Sequence, residues 1–578
     1  MKYLKVFETE NLQIEFIAGE DYIEPHISCL EDGSKVKYNI YTKEERIYLS
    51  QPFTIEALDT GTITWEFVDG KTVKYSKNGS EYQIWDGVTG IEVEQGDKVS
   101  FIANNEKYDM KSISCTCSFN AKGNIMSLLY EENFENKTTL TEGYTFAQLF
   151  KDCSIISAEF LILPAMNLSK FCYGAMFQNS TIKTTPKLPA LKLETGCYSG
   201  MFINCDSLIN APKLPATILA TQCYNAMFGS CDNLINAPEL PATTLKQRCY
   251  NQMFSNCTSL SIVPKLPATI LAKDCYRQMF AHTILTKAPE LPAVTLEYGC
   301  YESMFLDTNL SVLPELPATT LAERCYYEMF TSCNSITSIP SGYLPVTTLA
   351  PYCYCGMFYN CANLTTVPSN LLPATTIEEQ SYAFMFRETN LETVPNLPAT
   401  TLANRCYLAM FEQTKITSVP ILPATILAEA CYKQMFKDCN NIETVPSNLL
   451  GAMTLANQCY SNMFLGCTNL INAPELPATI LIEQCYAGMF TDCKKLATAP
   501  DLLVEELVTK CYEEMFKGCT NLSHITCLAT DISATNCTTN WVSEVSSTGT
   551  FEKASDMNNW TTGASGIPSG WTVETASS

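Results

Sequence analysis

Cysteine is the residue type whose number and placement in this chain first suggest chemistry. The 578 residues include 29 cysteines. Most fall at two fixed positions of a recurring segment, as in CYNAMFGSCDNLINAPELPATTL from Cys223. Thiols can form disulfides, hold soft metals or act as nucleophiles. Two cysteines eight residues apart on a helix stand ~12 Å apart, too far for a disulfide within one segment. No CxxC pairs stand in a ligand-like arrangement for zinc. The main reading is a ladder of equivalent thiols acting as small buried hydrophobic groups, with disulfides between segments and metal binding as the alternatives. Cys115, Cys117 and Cys355 lie off the ladder and are the better candidates for reactive thiols.

Other catalytic constellations are thinly represented. His26, His282 and His524 are the only histidines and lie in separate parts of the sequence, which disfavours a Cys-His or Ser-His-Asp arrangement. No P-loop or GxGxxG follows a strand pattern. Carboxylates are abundant, yet their spacing singles out no acid and base. The expectation is a non-enzymatic protein with no catalytic residue, no metal ligand and no cofactor.

The elements that carry these residues repeat about every 26 residues from Phe146 to near Cys537. The consensus is C-Y-x-x-M-F-x-x-C-x-x-L-x-x-A/V-P-x-L-P-A-T-x-L. Counted from the first Cys, apolar residues stand at i, i+1, i+4, i+5 and i+8, which predicts a short amphipathic helix in each repeat. The A/V-P-x-L stretch reads as extended because proline disfavours helix in the residue before it. LPATTL supplies a second short extended piece. Where Ser180, Thr283, Thr308, Thr389 or Thr414 replaces the second Cys, the repeat has 25 residues, and elsewhere 26 or 28. A slot for a small side chain in a tight turn accounts for that link. Repetition of this kind marks a supersecondary unit stacked many times, an architecture that usually binds rather than catalyses.

The MF-x-x-C-x-x-L-x-x-A-P-x-L-P-A-T-x-L register resembles the BspA-type leucine-rich repeats of bacterial surface proteins. That resemblance implies an α/β solenoid of about fourteen units with a narrow parallel sheet along one face. Pro212, Pro238, Pro264 and their equivalents cannot donate to a ladder, so the sheet is expected to be short or interrupted. The flanks complete four regions: a β attachment module over 1–45, a small antiparallel β-sandwich over 46–126, the solenoid over 127–526 and a cap over 527–578. Turn signals support the first two: Asp32-Gly33, Asp69-Gly70, Asn78-Gly79 and Gly96-Asp97. The cap carries Trp541, Trp560 and Trp571 and would close the open end of the stack. Together, MKYLKVFE, DYIEPHISCLEDGSKVKYN, GNIMSLLY, the CYxxMF repeats and CLATDISATNCTTNW resemble phage proteins of gut Bacteroides-type bacteria.

A net charge of −23 argues against nucleic acid and anionic membrane surfaces as partners. MKYLKVFETENLQIEF has no apolar run of signal-peptide length, and no apolar stretch is long enough for a membrane helix. The phage resemblance implies a virion protein of tail or fibre type, made in the host cytoplasm, that adheres to the bacterial surface. The alternatives are a bacterial cell-surface adhesin, a structural spacer of the virion, and a glycan depolymerase. Expected partners are a host surface glycan or protein, other virion proteins through the N-terminal modules, and a second copy of the chain. The residues after the strand proline, from Lys187 to Asp501, form a solvent-facing column. Near its neutral middle stand Tyr327, Tyr343, Tyr352, Tyr359 and Phe384, the expected binding aromatics; repacking around the two long repeats is the competing reading.

Overall fold

The computed structural model describes residues 47–67, 71–108 and 110–576, and the backbone of four short strands before them. The turns expected at Asp32-Gly33 and Asp69-Gly70 lie outside the described residues. Two of the early strands, His26–Ser28 and Lys37–Asn39, pair antiparallel with Ile27 opposite Tyr38. The chain divides into two compact bodies: Met1–Ala242 with Cys257–Lys265, and Thr243–Asn256 with Leu266–Ser578.

In the first body, alternating apolar residues build two antiparallel sheets. One runs, in order, through Phe119–Asn124, Thr54–Ala57, Lys98–Ala103, Val73–Lys77 and Gln83–Trp85. The other joins Ser114–Cys115, Gly61–Thr64 and Ile91–Val93. Trp65, Phe67, Trp85 and Phe101 form a continuous chain of ring contacts between them. Asn78 (φ 54°) and Gly79 (φ 79°) make the tight turn that links Val73–Lys77 to Gln83–Trp85, as a primed hairpin turn requires. Phe119–Asn124 faces both ways: antiparallel to Thr54–Ala57, and parallel to Ile155–Ser157 and Leu161–Ile162. That strand carries the β module into the first coil of the repeat array.

The repeats from Phe146 to Cys537 contain no α-helix, which corrects the α/β expectation. Each CYxxMFxxC segment is a run of consecutive turns with a period of four. In the second body, Arg324, Glu328 and Ser332 all have φ between 51° and 61°, the left-handed region that ordinary residues avoid. The amides of Cys325, Tyr327, Met329, Thr331 and Cys333 bond three residues back, at 3.2 Å. The alternate amides of Tyr326, Glu328, Phe330 and Ser332 bond forward to Cys353, Cys355, Met357 and Tyr359 of the next coil, at 2.8–3.1 Å. Half of the donors thus close a coil locally, and half tie it to its neighbour. The regular contacts within each body, with almost no helix, are compatible with a β-solenoid.

The i, i+1, i+4, i+5, i+8 spacing fits a period of 4 as well as one of 3.6. A turn every four residues points the Cys, Tyr, Met and Phe of each coil inward. Cys353, Met357 and Phe358 are wholly buried. Tyr326–Tyr354 and Phe330–Phe358 stack at 5.8 and 5.7 Å, and in the first body Phe177–Phe202 stack at 5.3 Å. Burying a side chain of this size stabilises by roughly 1.5–3 kcal/mol, and near-parallel ring pairs add ~0.5–1.5 kcal/mol. The left-handed residues are held in place by stacking on both sides.

The parallel sheet is reduced to single bridges. Asn210, Asn236 and Ile262 pair in the first body, and Thr376, Thr401, Ile426, Thr454 and Ile480 in the second. Proline on the inner stretch withholds the donors that a longer ladder needs. The extra residues of the 28-residue repeats form a small turn, closed by Leu371 N to Pro368 O and by Leu449 N to Pro446 O. After the last coil, Ala564 accepts from Val542, and Gly566 accepts from the Trp541 indole at 2.8 Å. Donors that would otherwise end unpaired are satisfied there. Three parallel strands, His524–Cys527, Thr550–Lys553 and Thr572–Thr575, flank this closure.

Candidate partner-binding faces

All 28 described cysteines stand outside disulfides, and 27 of them are buried. Second-position thiols donate to the phenylalanine carbonyl of the preceding coil: Cys231 to Phe202, Cys333 to Phe305 and Cys361 to Phe330, each at 3.0 Å. Thr308 and Thr414 instead donate to the carbonyls of Phe305 and Phe411 in their own coils, at 3.0 and 2.9 Å. Either hydroxyl or thiol serves the same carbonyl column, which explains the Cys/Thr exchange. Burial pushes Cys205 and Cys333 up to about 11, so at neutral pH they are donors rather than nucleophiles. Cys355, expected off the ladder, is 2% exposed. His282 and His524 pair with Asp307 and Glu552 on the surface. Among the described residues, no group of three His, Cys, Asp or Glu is placed to hold a metal ion.

The five aromatics do not form one platform. Arg324 lies 4.0 Å above the ring of Tyr327 while its Nε and Nη2 hold Glu302 at 3.1 and 3.2 Å. Glu302 is only 4% exposed and also faces Arg277. Tyr352 donates to Glu379 and accepts from Gln380. Tyr359 and Phe384 share one guanidinium, with Arg387 at 5.6 and 5.8 Å from their rings. Arg387 in turn lies 3.1 Å from the buried Glu412. These four half-buried aromatics sit on the turn layer, and the ring faces of three of them carry a cation. Sequence reasoning missed Arg324 and Arg387. The signal was their position: Arg324 lies three residues before Tyr327, and Arg387 three after Phe384, distances that one turn closes.

Tyr343 lies apart, on the proline side of the array. Its hydroxyl donates to the Pro314 carbonyl at 2.9 Å. There the P-x-L-P segments of two successive coils enclose a groove of about 400 Å³. Lys287, Pro289, Glu290, Leu291 and Pro292 line one side, with Val312, Pro314, Glu315 and Pro317 on the other. Val312 is 65% exposed at its rim. Every residue in the column after the proline is exposed: Lys187, Lys213, Glu239, Lys265, Glu290, Glu315, Ser341, Ser369, Asn396, Ile421, Ser447, Glu475 and Asp501. The proline side therefore offers proline-stiffened walls beside a column of exposed side chains that is charged at both ends and neutral in the middle, and the turn layer offers interlocked ion pairs.

No protein-family model matches the chain, and no curated protein matches it. Among the described residues, no helix is long and apolar enough to cross a membrane.

Proposed function

We propose that this chain is a non-enzymatic, virion-associated phage protein of tail or fibre type, whose array contacts the bacterial host surface through the proline side of the second body. The observation that carries this reading is the groove between residues 287–292 and 312–317. Four prolines with fixed φ, Pro289, Pro292, Pro314 and Pro317, line it and stiffen its backbone, so a ligand that enters orders little main chain. Tyr343 braces one wall, and Val312 stands as an exposed apolar contact at the rim. Aromatic and apolar anchors on a rigid scaffold are the usual means of gripping a glycan or a protein. The virion setting rests on the phage-like segment order. The finer assignment of the array as a BspA-type repeat rests on its register, whose leucines Leu208, Leu234, Leu260 and Leu364 are all wholly buried. The N-terminal β module is the natural attachment to other virion proteins.

The test is binding of the purified full chain to intact candidate host cells, with and without their surface polysaccharide. Binding that disappears with the polysaccharide assigns a glycan ligand, and binding that survives its removal assigns a protein. A folded chain that binds neither cell preparation overturns the proposal in favour of a virion spacer.

One observation favours a second reading. Glu328 is half-buried next to Tyr327, and burial holds its carboxyl above the usual range, while Glu302 nearby is held by two arginines. Two carboxyls in contrasting surroundings are the pattern of acid–base pairs in glycan hydrolysis. Oligosaccharide release by the wild type, abolished by Glu328→Gln with folding intact, would move the assignment to a depolymerase.

A further inference from the structure

Cys115 stands out among the described thiols because it is the only one that is not buried. It sits on the short strand Ser114–Cys115, opposite Ile63. The strand ends at Cys115, and the chain bends through Thr116 and Cys117. That bend brings the buried Cys117, 1% exposed, against Cys115, with the two sulfurs 3.4 Å apart. The space for Cys117 exists because residue 61 is glycine: a Cβ there would lie 2.7 Å from the Cys117 Cβ. The intervening residue is pinned by Thr116 N to Thr62 O at 3.1 Å and by Thr62 N to Thr116 Oγ1 at 2.9 Å. Ser118 N donates to Asp59. The two thiols are thus held together by strand pairing.

We propose that Cys115 and Cys117 form a redox-active pair that closes to an intramolecular disulfide when a small-molecule disulfide such as oxidised glutathione is present. The Cys115 thiolate attacks one sulfur of the reagent and expels the first glutathione thiolate, giving a mixed disulfide. Cys117 then loses its proton, attacks the Cys115 sulfur and expels the second. Two protein S–H bonds and one reagent S–S bond are consumed. One protein S–S bond and two glutathione thiols are formed, and two electrons pass to the reagent. The sulfurs must close from 3.4 Å to about 2.05 Å, a movement within reach of side-chain rotation. Burial raises both thiols, so the exchange quickens as the pH rises above neutral. The array thiols stay out of this chemistry because they are buried.

The test uses the folded full chain incubated with oxidised glutathione, then alkylated, digested with trypsin and analysed by mass spectrometry. Residues 112–122 form one peptide that contains both cysteines. The expected product is that peptide two hydrogens lighter and resistant to alkylation, with the array cysteines still alkylated after unfolding. Cys117→Ser should instead trap glutathione on Cys115, and Cys115→Ser, a change at the partly exposed position, should leave Cys117 unmodified. A wild-type peptide that remains fully alkylated, or that carries a persistent glutathione adduct, overturns the proposal.

Discussion

Replacing Gly200 with alanine should destabilise the chain, and the sign of that effect separates a stack of turns from a helix. Gly200 has φ 61° and its amide bonds forward to Asn225 O at 2.8 Å. A Cβ added there would meet only the Ile203 Cγ2, at an ordinary 3.7 Å, so backbone conformation alone decides the result. Placing an L side chain in the left-handed region costs roughly 1–2 kcal/mol. The stiffer unfolded chain returns ~0.4–1 kcal/mol. The net expectation is a loss of about 0.5–1 kcal/mol for Gly200→Ala and of about 2 kcal/mol for Gly200→Val, whose branched Cβ is the least tolerant there. On a helix, Gly→Ala would stabilise by ~0.8–1 kcal/mol. Hydrogen exchange of the amides over residues 196–204 in the full chain is the assay, because it reads local opening without assuming all-or-none unfolding of an array. One kcal/mol is about a fivefold change in protection. Increased protection in Gly200→Ala would refute the period-four coil.

Other outcomes follow from the same structure. Phe358→Ala removes a wholly buried ring stacked on Phe330 and Phe386; it should cost roughly 3–5 kcal/mol, seen as lost exchange protection centred on its own coil and the two adjoining ones. Glu328 has a carboxyl raised above 4.5 by burial, so its contribution is full below that value and is lost as pH rises through the folded pKa. Glu328→Gln should therefore unfold at higher denaturant than wild type at neutral pH, with the difference vanishing in acid; equal midpoints at both pH values would contradict this. Glu56 behaves oppositely. Burial raises its pKa, but the hydrogen bond and charge of Lys122 outweigh that and leave it below 4.5. Its stabilisation is present above that value and is lost as pH falls through the folded pKa. Lys122→Met should flatten the acid limb of the β module's unfolding curve.

The repeat boundaries, the buried leucines and the exposed column after the strand proline were legible in the sequence because each follows from which side of the chain is apolar. Proline likewise announced the interrupted sheet. The helix was misread because the apolar spacing is shared by two periods. The residues that discriminate stand seven after the first Cys: Asn204, Ser230, Asn256, Asp307, Asn360, Gly466, Asp492 and Gly518, all with positive φ. Asn, Asp and Gly are the types that tolerate this region, and their recurrence there in most repeats is a turn signal that an amphipathic count ignores. The aromatics were legible as a cluster, but their engagement was not. Whether a tyrosine ring is open depends on a guanidinium that a turn brings over it, as with Arg324 and Tyr327. The groove at Val312 was invisible for a different reason: it belongs to two coils at once, and no single repeat encodes it.

Contact through the proline side rather than the turn layer is tested most directly by saturation binding to host cells of three folded full-length chains. These are wild type, Val312→Asp, and a variant with Tyr327, Tyr352, Tyr359 and Phe384 all changed to alanine. Val312→Asp places a charge at an exposed groove rim and should weaken binding by about tenfold or more, equivalent to ~1.4 kcal/mol, while the turn-layer variant binds as wild type does. Unchanged binding by Val312→Asp together with loss in the turn-layer variant would contradict the assignment and move the contact to the other face.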